Sequence, residues 1–146
     1  MGERYCALFL GALFLIVGIA GFVPALMSLP GTAAANIPAD VADPYAAGYG
    51  YLFGLFPTNL VHNLVHLIVG LLGIASYSTL RASRLYNRCF AIAYALIATM
   101  GFLPVAKTTF GLMPIFGNNI WLNASTAVAA AYFGFVIPSQ AESQIS

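Results

Sequence analysis

The chain has 146 residues, of which 61% are hydrophobic and only 6% charged, with a formal net charge of +1. Soluble domains carry about a quarter charged residues, so this composition cannot clothe a water-facing surface. Five basic and four acidic side chains supply no basic face for nucleic acid and no polybasic run for anionic lipid, which leaves the lipid bilayer and other membrane subunits as the expected partners.

The pattern reads as an all-α polytopic membrane protein with four transmembrane helices in a single domain, 1–146, since a bilayer needs roughly 20 apolar residues per crossing. The first span covers residues 5–27, with Gly11, Gly18 and Gly21 near one helical face, where they permit close backbone approach. Ala33-Ala34-Ala35 imitates a signal-cleavage site, but the apolar run is longer than the ~7–15 residues of a signal core, so the span is read as retained. Residues 30–50, rich in Ala, Pro and Asp, read as an outer loop. Tyr45, Tyr49, Tyr51, Phe53 and Phe56 cluster where the chain returns to the interface. Pro57 then reads as an early helix residue of the second span, 57–78.

The link Thr79 to Arg88 holds Arg81, Arg84 and Arg88, three of the five basic residues. By the positive-inside rule it is cytoplasmic, and with Arg4 it places both termini there, leaving Lys107 outside. The third span reads as 89–104 and the fourth as 120–136, joined by a Gly/Pro/Asn connection, with Trp121 as an interface anchor and a frayed polar tail at 139–146. Cys6 and Cys89 have no metal-ligand spacing and read as packing residues.

The two halves echo each other. Gly21 to Pro24 and Gly101 to Pro104 share Gly-Phe-X-Pro, and Phe53 to Pro57 and Phe110 to Pro114 share Phe-Gly-Leu-X-Pro. Laying the second pair together without gaps places His62 over Asn119, His66 over Asn123 and Gly70 over Ala127. Two copies of a two-helix unit explain this, and because each unit crosses twice the repeat is parallel.

Polar residues fall in two stripes at helical spacing: Asn59, His62, Asn63, His66, Gly70 and Gly73 on the second span, and Asn119, Asn123, Thr126, Ala130 and Gly134 on the fourth. Hydrocarbon offers such groups no partners, so the stripes are expected to face and hydrogen-bond each other. A sharper alternative makes His62 or His66 a cofactor ligand, for chlorophyll, carotenoid or haem, with Gly70 and Gly73 leaving room for a flat ring. One haem held by both histidines is excluded, because residues at i and i+4 lie ~5–6 Å apart on one face. No catalytic constellation and no metal site is visible, and Asp40 and Asp43 are the only carboxylates of the outer loop, so no enzyme is expected.

The run from Gly48 to Pro57, followed by Asn59 and His62-Asn63-X-X-His66-Leu67-X-X-Gly70, gives the signature LFPxNxxHNxxHLxxG. It resembles a bacterial family of small four-helix membrane proteins of unknown function, common in oxygenic photosynthetic bacteria. The resemblance implies a thylakoid or plasma-membrane location and a photosystem-type complex as partner. Relatives often carry a histidine where this chain has Asn123, a departure that favours a hydrogen-bonding role. The expected function is a non-catalytic accessory or assembly subunit of a larger membrane complex. The alternatives are a pigment- or haem-binding protein using His62 and His66, and a transporter of a small neutral solute.

Overall fold

A computed structural model describes residues 1–30 and 48–138. Four helices, α1 (Gly2–Ala20), α2 (Leu60–Ser76), α3 (Leu80–Phe102) and α4 (Asn118–Ala131), form the body. Two of them, α1 and α3, are long and apolar enough to cross a membrane, and α2 is a shorter apolar helix. Residues 31–47 of the expected outer loop, with Tyr45, Asp40 and Asp43, and the tail 139–146 lie outside the described residues.

The protein is not purely helical. Three short strands, β1 (Met27–Ser28), β2 (Gly50–Leu52) and β3 (Phe56–Thr58), form an antiparallel sheet in the order β1-β2-β3. The first span therefore stops being α-helical at Ala20, where Phe22 and Val23 turn back onto Ile19 and Ala20 ahead of Pro24, and Pro24–Leu26 is a 3₁₀ turn. Pro57 sits in edge strand β3, where a missing N–H is tolerated, and not in the helix. Asn59 caps α2 instead, its side chain accepting from the His62 N–H at 3.0 Å.

The arginine-bearing link is helix as well. Thr79 accepts from the Ala82 N–H at 3.1 Å and starts α3 there, nine residues ahead of the expected 89. Leu103 ends it in an extended conformation because the residue before a proline disfavours the α region. The fourth span begins slightly earlier than expected, and Tyr132–Val136 continue α4 as a π-helical turn closed by Ile137 N–H to Tyr132 O at 3.2 Å. Cys6 is buried, whereas Cys89 is exposed on the outer face of α3, so only Cys6 packs inside.

The closest packing joins α1 to α2 and α3 to α4, and α1 meets α3 across the middle. There Phe14 meets Phe90 and Tyr94 edge-on, with centroids 5.2 and 4.9 Å away, while Leu10, Ala91, Ala127 and Ala130 close the core. In the first pair, glycines bring backbones into contact: a Cβ on Gly11 would lie 2.6 Å from Ile74 N, and one on Gly70 2.5 Å from Leu15 N.

Candidate functional site

The sequence stripes take interior positions and come together where His62 and Asn119 share two backbone carbonyls. His62, Asn63, His66, Asn119 and Asn123 are each at most 3% exposed, and Thr126 is also buried. Among the described residues no side-chain hydrogen bond joins the stripes directly: α2 turns His66, Gly70 and Gly73 toward α1, and the Asn63 and Asn119 amides find backbone carbonyls. Asn63 Nδ2 donates to Gly21 O at 2.8 Å, and Thr58 Oγ1 donates to Asn63 Oδ1 at 2.6 Å. Asn119 Nδ2 donates to Pro57 O at 2.6 Å and Pro114 O at 3.2 Å, and the same two carbonyls face the His62 ring. Thr126 merely bonds back to Leu122 O at 2.7 Å within its own helix.

The helix entrances are cross-linked by an exchange of asparagines. Asn59 donates to Leu112 O at 2.9 Å, and Asn118 donates to Leu55 O at 3.2 Å. Leu55 and Leu112 are the matching positions of the two Phe-Gly-Leu-X-Pro copies. Both copies fold alike: Phe53 and Gly54 have φ of 54° and 68°, Phe110 and Gly111 have φ of 58° and 93°. At the other end Arg4 Nε donates to Tyr77 O at 2.7 Å, and Arg84 Nε donates to Gly134 O at 3.3 Å. Arg84 stands to Arg4 as Pro104 stands to Pro24, and Gly134 to Tyr77 as Pro114 to Pro57.

The match continues through the body. Gly21 is approached by the Asn63 side chain and Gly101 by Ile120, again corresponding pairs. A groove between α1 and α4 is lined by Cys6, Phe9, Leu10 and Leu13 with Thr126 and Ala129. Its counterpart between α2 and α3 is lined by Tyr86, Cys89, Phe90 and Ala93 with Val69 and Leu72, each at the position corresponding to one of those six.

The histidine rings lie 4.3 Å apart at 64°, and His66 meets the edge of Phe14 at 4.9 Å. Both Nδ1 atoms are buried without a hydrogen-bond partner. The space expected beside Gly70 and Gly73 is filled by the α1 backbone, Gly11 and Leu15 above all, so no flat ring fits there. Among the described residues no three His, Cys, Asp or Glu side chains come together, and neither histidine lines any of the surface grooves described. The largest of those, about 870 Å³, lies on the outer side of α4 between Leu55, Trp121 and Val128.

A family described as a domain of unknown function (DUF4383) matches residues 4–136. The chain belongs to that family. No curated protein and no solved structure matches it. Family membership brings no established activity, so function has to be argued from the geometry.

Sequence reasoning missed Ser83 and Asn87, assigned to a link but buried in α3. Ser83 Oγ donates to Ser76 O at 2.8 Å and Thr79 O at 3.0 Å, and Asn87 Nδ2 donates to Glu3 O at 2.9 Å. Their spacing with Phe90, Ala91, Tyr94 and Ala98, behind a capping Thr79, was the available signal.

Proposed function

We propose that the chain is a four-span integral membrane protein built from two parallel copies of a two-helix unit, serving as a non-catalytic accessory or assembly subunit of a larger membrane complex. One observation carries the membrane part: the chain is turned inside out relative to a soluble domain. Amides and imidazoles are interior, while Phe9, Ile16, Leu71, Leu72, Leu85, Leu96 and Val128 are more than half exposed on all four helices. At ~1.5 Å per residue α3 is about 35 Å long, enough for the ~30 Å hydrocarbon layer, and α2 and α4 reach it with the capping turns and the π turn. The arginine-bearing end faces the cytoplasm.

The accessory role rests on how the interior polar groups are used. The asparagines act as struts between loops and helix entrances, and the grooves lie outside, where lipid or another subunit meets the protein. Gentle detergent extraction followed by native electrophoresis tests this: the chain should migrate with larger partners, and migration only as a small free particle counts against the role.

A second reading, a pigment- or haem-binding protein, is favoured by the two unpartnered Nδ1 atoms. It requires α1 to move away from Gly70, and a colourless preparation disposes of it. A thylakoid home and a photosystem-type partner rest on the sequence resemblance alone.

A further inference from the structure

We propose that the outer groove between α3 and α4, together with Arg88, holds one anionic phospholipid of the cytoplasmic leaflet. The inference rests on the membrane reading above. The groove has a volume of about 360 Å³, within the ~300–1,000 Å³ of small-molecule sites, and is lined by Ala91, Ala95, Ala98 and Phe102 of α3 facing Ala124 and Val128 of α4. Thr99 also lines it, its hydroxyl donating to Ala95 O of its own helix at 2.8 Å, so the lining offers an acyl chain mostly apolar contact.

The two units differ along this seam. Gly11, Gly18, Gly70 and Gly73 of the first unit correspond to Ala91, Ala98, Ala127 and Ala130 of the second. Glycine lets α1 and α2 touch backbone to backbone, whereas in the second unit methyls stand at those positions, and Ala91, Ala98 and Ala127 line the groove. The same unit differs at its cytoplasmic end, where Arg88 occupies the position of Leu8.

Arg88 lies one turn before Ala91, and its Nε donates to Gly134 O at 2.8 Å, one turn beyond Ala131, which also lines the groove. Its guanidinium therefore sits at the inner mouth of the groove. It is exposed, with Cζ 5.3 Å from the Phe135 ring centroid. Among the described residues the one ion pair joins the Met1 amine to Glu3, and none of them sets a carboxylate against Arg88. A guanidinium above an apolar trough matches a phosphate headgroup with its chain below. Arg84 caps Gly134 O as Arg4 caps Tyr77 O, so Arg88 is a further cation at that end, with no counterpart at Leu8 of the first unit.

The test uses the full chain recovered from carbonate-washed membranes and analysed by native mass spectrometry with palmitoyl-oleoyl phosphatidylglycerol or phosphatidylcholine. One phosphatidylglycerol should bind in preference. Arg88→Gln should weaken it about fivefold, the worth of one basic residue at an anionic surface. Ala95→Phe should displace it with the charge intact, and Arg81→Gln, an exposed arginine of the same helix, should leave it unchanged. Equal binding of both lipids, or equal losses from Arg81→Gln and Arg88→Gln, overturns the site. Recovery of the chain in the carbonate-soluble fraction overturns the membrane reading and the site with it.

Discussion

The first unit, α1 with α2, and the second, α3 with α4, share a plan and differ in how it is filled. Corresponding arginines cap corresponding carbonyls, corresponding turns take the same left-handed pair, and each entrance loop is held by an asparagine of the other unit. Hydrogen bonds to backbone oxygens depend little on side-chain identity at the acceptor, so the same framework is compatible with different residues there. Packing does not. Glycine brings the backbones of the first unit into contact, alanine stands at the corresponding positions of the second, and the unit with the glycine seam is the one that carries both histidines.

The largest expected effect comes from exchanging the small residues. Gly11→Ala puts a methyl 2.6 Å from Ile74 N and 2.8 Å from Gly70 O, backbone atoms that cannot yield without separating the helices. It should cost about 3 kcal/mol, at the upper end for overpacking, whereas the reciprocal Ala91→Gly should cost about 1 kcal/mol through helix propensity and lost contact. Unfolding in detergent followed by circular dichroism compares them. Equal costs would mean that the two seams are not different in kind.

Next come the struts. Asn119→Leu leaves Pro57 O and Pro114 O without their amide donor and should cost about 1–3 kcal/mol. Because one of those carbonyls belongs to each unit, the variant should also loosen the α2 entrance, seen as faster amide exchange at Leu60 to Asn63. Loss confined to α4 would break the argument that the units are tied there.

A smaller effect separates the arginine caps. Arg4 is the side-chain donor to Tyr77 O, while Gly134 O receives both Arg84 and Arg88. Arg4→Gln should therefore cost about 1–2 kcal/mol, as for a charge-assisted hydrogen bond partly open to solvent, and Arg88→Gln less, because Arg84 remains. The reverse order would show that Gly134 depends on Arg88 for more than redundancy.

Much of this plan was legible in the sequence because it is written in short motifs. Gly-Phe-X-Pro and Phe-Gly-Leu-X-Pro fix the backbone through glycine and proline, so the same letters gave the same turn twice, and the gapless overlay of His62 on Asn119 fell on the same two carbonyls. Helix boundaries were less legible. The arginines of α3 read as a link because a cluster of charge marks a boundary between apolar runs, yet arginine is a good helix former and Thr79 caps the helix ahead of them. The strands were hidden because two- and three-residue strands carry no periodicity. The orientation of the α2 stripe was hidden too: a run of glycines and polar residues marks an interior face without saying which neighbour it meets, and the glycine seam with α1 took what had been expected to face α4.

The smallest expected effect bears most on function. His66→Asn copies into the first unit the residue that Asn123 supplies in the second. The His66 ring makes an edge contact with Phe14 and one with His62, but its Nδ1 has no hydrogen bond to lose. Its replacement by a smaller amide should therefore change stability by no more than about 1 kcal/mol. If the variant stays folded and still migrates with its native partners, the imidazole is a packing residue and the units are interchangeable there. If it stays folded but leaves the larger assembly or loses a bound chromophore, the difference between histidine and asparagine is functional, since stability would have been held constant across the exchange.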